Sequence, residues 1–117
     1  MACVLALVDD VFFQAKLFET ARQVGVELKM VTTGEALLAE AQQSAPALLI
    51  VDLNARQGAL EALERLHAAG NQRPVIAFLS HVQVELAERA RAAGCQQVMP
   101  RSKFTQNLAA ILSQAKS

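Results

Sequence analysis

The chain has 117 residues, with eleven basic and eleven acidic side chains and a formal charge of zero. That balance excludes the broad positive footprint needed by nucleic acid or an anionic membrane surface, and 53% apolar residues exclude a disordered chain. Aromatic residues make up only 4%, all of them Phe, too few for a base-stacking platform.

The length is that of one domain, taken as residues 1–117. Residues 3–8 open it as an apolar strand-like run that Asp9 and Asp10 stop. The run lacks a basic leader, and no stretch reaches the roughly 18 apolar residues of a membrane span, so a cytoplasmic location is expected. Phe13, Leu17, Ala21 and Val24 then recur at helical spacing, and Gly25 closes the segment. Residues 26–31 form a second strand, and Thr32 with Glu35 three residues on reads as a capping box for a second helix. Residues 47–51 are the third strand, ending at Asp52; Leu60, Leu63 and Leu66 mark the third helix, closed by Gly70. Residues 74–79 are the fourth strand, ending at Ser80, and a charged segment with Glu85, Glu88, Arg89 and Arg91 reads as a solvated helix with intrahelical pairs. After Gly94, residues 95–99 form the fifth strand, and Phe104, Leu108, Ile111, Leu112 and Ala115 mark the last helix, with Thr105 as its expected cap. Cys3 and Cys95 have no metal-type spacing and are expected as buried free thiols, and His67 as a helix-surface histidine.

Five strand–helix units with short connections imply an α/β, flavodoxin-like (βα)5 doubly wound parallel sheet in the order 2-1-3-4-5. That order makes the first and third strands neighbours, so Asp9, Asp10 and Asp52 converge at their carboxyl ends. Each alone is a common cap or turn residue. Together they repel one another and call for a hard divalent cation such as magnesium. Ser80 and Arg101 reach the same edge from strands four and five. A hydroxyl and a cation beside such carboxylates suit phosphoryl chemistry, with Asp52 as nucleophile.

These residues and this order resemble the receiver domain of two-component response regulators, over essentially the whole chain. The resemblance implies a signalling domain rather than an enzyme. A sensor histidine kinase or phosphotransfer protein would phosphorylate Asp52. Asp9, Asp10, Asp52 and the backbone carbonyl of Asn54 would hold magnesium, and Ser80 would contact the phosphoryl group. The face of helix four, strand five and helix five would meet a downstream protein, with Val82, Val84 and Phe104 as apolar candidates or else as core.

The chain departs from the family at several places. Where the family carries Lys-Pro, this chain has Arg101-Ser102, and Lys103 is the competing cation. Pro100 opens the question of a cis bond. The loop after Asp52 lacks the usual Pro, His81 stands where a small residue is usual, and Val98 takes the place of the switch aromatic. A pseudo-receiver, acting as a phosphorylation-independent interaction module, is therefore the alternative. A dinucleotide or flavin domain is disfavoured by the acidic, bulky Asp9-Asp10-Val11-Phe12-Phe13, and a haloacid-dehalogenase-like phosphatase by the missing Asp-x-Asp.

Overall fold

The structure, a computed structural model, describes residues 2–80 and 83–116. His81 and Val82, singled out above, lie outside the described residues. Strands β1 (Cys3–Leu7), β2 (Glu27–Val31), β3 (Leu48–Asp52), β4 (Val75–Leu79) and β5 (Gln97–Pro100) alternate with helices α1 (Val11–Val24), α2 (Gly34–Ser44), α3 (Ala59–Ala68), α4 (Val84–Ala92), α5 (Arg101–Gln106) and α6 (Leu108–Ser113). A 3-10 turn, Gln114–Lys116, follows. All strand pairings are parallel, in the order β2-β1-β3-β4-β5, as expected from the alternation.

Side chains alternate along each strand, so the sheet divides two apolar layers. Leu5, Leu7, Leu49, Val51, Val75, Ala77 and Leu79 pack with Leu37 of α2, Leu60, Leu63 and Leu66 of α3, and Ala90 of α4. Val4, Ala6, Leu48, Ile50, Ile76 and Phe78 pack with Phe13 and Leu17 of α1, and with Phe104, Leu108 and Leu112 of α5 and α6. The inner strands β3 and β4 are buried at every residue, whereas the edge strand β2 has no buried residue. Cover on both faces explains why the inner strands read as continuous apolar runs. Asp52 continues the alternation of Leu48 and Ile50, so its carboxylate lies on the α1/α5 face.

Several boundaries differ from the sequence expectation. Thr33, not Thr32, caps α2, accepting a hydrogen bond from the Ala36 amide. Gly34 follows it because a Cβ there would lie 2.2 Å from the Gly58 carbonyl oxygen. The last helix starts at Arg101, immediately after β5, and breaks at Asn107. Thr105 is therefore inside α5, donating to the Arg101 carbonyl, rather than capping it. Arg89 pairs with Glu64 of α3, not within its own helix. Phe104 is fully buried and stacks on Phe78 with ring centroids 4.4 Å apart, which removes it from the docking surface. Val84 is exposed. Cys95 is buried and Cys3 only half-buried; both are free thiols. His67 is exposed on α3. No described peptide bond is cis. Among the described residues, no helix is long and apolar enough to cross a membrane.

Candidate functional site

Asp52 ends β3 with only 2% of its surface exposed, and it is the one buried charged residue among those described. A buried carboxylate needs hydrogen-bond donors, and each of its oxygens has one. Oδ1 accepts from the Asn54 amide at 2.9 Å, closing a tight turn, and Oδ2 accepts from Arg101 Nη2 at 3.1 Å. Burial nevertheless pushes the Asp52 carboxyl above the usual carboxylate range, against the opposing pull of these two donors.

Asp10 performs the cap role and the site role together, one oxygen to each. Its Oδ1 accepts from the Phe12 and Phe13 amides and so starts α1, while Oδ2 accepts from Arg101 Nη1 at 3.1 Å. The guanidinium, with help from the Phe13 amide, lowers its carboxyl below the usual range. Asp9 is drawn aside, accepting from the backbone amide of Arg56 at 2.9 Å and from its side chain at 3.5 Å.

Arg101 is thus the hub of the pocket. Its fork spans two carboxylates, one at the cap of α1 and one at the end of β3, a geometry that a compact ammonium does not reproduce. The guanidinium carbon lies 4.6 Å from the Phe13 ring centroid and 5.5 Å from that of Phe78, within cation–π range. Its Nε is buried with no acceptor among the described residues, a deficit worth roughly 1–3 kcal/mol. Lys103, the competing cation, is exposed and makes no side-chain hydrogen bond or ion pair among the described residues; it lines a shallow groove with Asn107 and Gln114 instead.

Ser80 reaches the pocket through Asn54. Both its amide and its hydroxyl donate to Asn54 Oδ1, at 2.6 and 2.8 Å, and Asn54 Nδ2 donates to Gln83 at 2.9 Å. The sequence singled out Asn54 only for its carbonyl. Its side chain, together with Arg56, Phe13 and Phe78, had no spacing signal that would have marked it.

The expected gathering of three carboxylates around one ion takes another form here. The donor set is hard oxygen and suits magnesium in kind. However, no three His, Cys, Asp or Glu among the described residues are grouped to hold a metal ion. Two guanidiniums against three carboxylates leave the edge one charge short of neutral.

No family model matches the sequence, and no curated protein sequence matches it. Solved structures do. The signal receiver domain of a LuxO repressor protein from Vibrio parahaemolyticus aligns at 20% identity over 98% of this chain and 92% of that one, with a TM-score of 0.80. A CheY-like receiver domain protein from Methanospirillum hungatei aligns at 16% identity over 99% and 97%, with a TM-score of 0.82. The phosphorylated cyanobacterial phytochrome response regulator RcpA aligns at 17% over 99% and 94%, with a TM-score of 0.85. The chain has the fold of the response-regulator receiver domain.

Proposed function

We propose that this chain is a phosphoacceptor receiver domain of a two-component phosphorelay, a signalling module rather than an enzyme, working in the cytoplasm. The observation that carries this reading is the buried Asp52 carboxylate at the carboxyl end of β3, held against Arg101 and linked through the Asn54 turn to Ser80. A carboxylate oxygen of Asp52 attacks the phosphorus of a phosphohistidine on a sensor histidine kinase or phosphotransfer protein. The new O–P bond forms as the P–N bond breaks, and the imidazole leaves with a proton. Asp9, Asp10, Asp52 and the Asn54 carbonyl would hold magnesium, which would supply positive charge against the phosphoryl oxygens. Arg101 supplies fixed positive charge at the same place. Ser80 has a hydroxyl free to exchange its Asn54 acceptor for a phosphoryl oxygen, which would release Asn54 and, through it, Gln83 before α4. The signal then leaves by docking on the α4–β5–α5 face, where Val84 is exposed.

The test is incubation with magnesium and acetyl phosphate followed by intact-mass measurement. A gain of one phosphoryl group, lost in Asp52→Asn, is expected. A second reading, the pseudo-receiver, is favoured by one observation: both carboxylates that matter are already bridged by Arg101. Absence of any gain, under conditions that label an ordinary receiver, would decide for it.

A further inference from the structure

In the sequence Asp9, Asp10 and Asp52 face a single cation at the sheet edge, Arg101, and a divalent cation is the natural remedy for the charge left over. The folded chain supplies a remedy of its own. Arg101 places one nitrogen on Asp10 and another on Asp52, each at 3.1 Å. Its plane rests on Phe13 and Phe78. Asp52 is almost wholly enclosed, so any cation that approaches it must displace or adjoin this guanidinium.

We propose that Arg101 is a built-in counter-cation that latches the acidic pocket, so that Arg101 and a divalent cation are alternative occupants of Asp10 and Asp52. The inference deepens the phosphoacceptor reading and rests on it for the identity of the pocket as a cation site. Its physical basis is charge and geometry. A dication seated between Asp10 and Asp52 would face a guanidinium already hydrogen-bonded to the same two oxygens, and like charges at that range repel. Withdrawal of Arg101 breaks two charge-assisted hydrogen bonds and two aromatic contacts together. The Nε without an acceptor means that the side chain is held by those partners alone. A lysine at this position offers one compact ammonium on a flexible stem, and it would release one carboxylate while keeping the other. The apparent affinity for the cation is lowered by the small fraction of molecules with the latch open.

The experiment is a magnesium chloride titration of the wild-type chain, Arg101→Lys and Arg101→Ala by calorimetry, with folding of each checked by circular dichroism. Both variants are expected to bind at least about tenfold tighter than wild type, which corresponds to about 1.4 kcal/mol. A measurement on the wild type alone guards against a variant that fails to fold. The Arg101 side-chain Nε–Hε NMR signal should shift in step with magnesium saturation of the Asp52 and Asn54 amide signals. Equal affinities in all three proteins, binding that leaves the Arg101 signal unmoved, or no magnesium binding by any of them would each overturn the latch. Labelling of Asp52 by acetyl phosphate in parallel reports separately on the receiver reading, and it survives an equal-affinity result unharmed.

Discussion

Replacing Arg101 by Met keeps most of the volume against Phe13 and Phe78 but deletes the charge that faces Asp52. Breaking a fully buried ion pair by removing one partner costs roughly 3–5 kcal/mol, because a charge is left buried and unpaired. Here the Arg101 side chain is 30% exposed and Asp52 keeps the Asn54 amide, so about 2–3 kcal/mol is expected at pH 7. At roughly 4 °C per kcal/mol for a chain of this size, the melting temperature falls by about 8–12 °C. The deficit has a definite pH dependence. Burial already raises the Asp52 carboxyl above its unfolded value, and loss of the guanidinium raises it further. A raised acid is more costly when ionised, so its penalty is present at neutral pH and vanishes as pH falls below the unfolded value. Asp10 acts in the same direction. Its carboxyl is lowered chiefly by Arg101, so that stabilisation exists above the unfolded value and is lost as pH falls through the folded one. The gap between wild type and Arg101→Met should therefore narrow from pH 7 to pH 4 as Asp52 protonates, with Asp10's share lost only at lower pH, in urea melts with a chelator present. The double variant with Asp52→Asn should recover most of the loss at pH 7. A gap that is constant or widens on acidification, or a double variant no more stable than the single one, would refute the pairing.

Phe104→Ala removes a fully buried ring that stacks on Phe78 and lies 6.0 Å from Phe13, and should cost about 3–5 kcal/mol in a denaturant melt. A cost near zero would mean that the ring faces outward. Gly34→Ala drives a Cβ to 2.2 Å from the Gly58 carbonyl oxygen, a backbone atom, and is expected to lose about 1–3 kcal/mol; a neutral result would show that α2 and α3 do not approach so closely. Burial raises the Cys95 thiol to about 11, so at pH 8 iodoacetamide should modify half-buried Cys3 first and reach Cys95 only at the rate of unfolding. Equal alkylation rates of both thiols in the native protein would contradict that.

The layer order was legible because each physical constraint leaves a trace in sequence. Doubly covered β3 and β4 must be apolar at every position, so Leu48–Val51 and Val75–Leu79 stand out. Gly25, Gly70 and Gly94 end their helices in the left-handed region, with φ of 79°, 87° and 90°. The site's carboxylates and the cation Arg101 were legible from their strand ends, but the choice between Arg101 and Lys103, and the contacts of Asn54 and Arg56, were not. Arg101 and Lys103 are equivalent as charges in a sequence. The first is the first residue of α5, next to the sheet edge; the second lies roughly 200° further round the helix and points elsewhere. The same geometry puts Phe104, three residues after Arg101, on the inward face, so its role as core follows from where α5 begins. The sequence placed that start too late, because a helix beginning directly after a strand leaves no loop to read. Asn54 illustrates a different limit. Its contacts to Ser80 and Gln83 join residues 26 and 29 positions apart, and no local pattern encodes them.

The central claim is that Asp52 is the phosphoacceptor. The most direct measurement treats the acetyl-phosphate-incubated protein with borohydride, which reduces an acyl phosphate to an alcohol, and then sequences the peptides by mass spectrometry. Homoserine at position 52, absent without the phosphodonor and absent in Asp52→Asn, is the predicted result. An unmodified Asp52 in a protein that folds and binds magnesium, or the label on another residue, would contradict it.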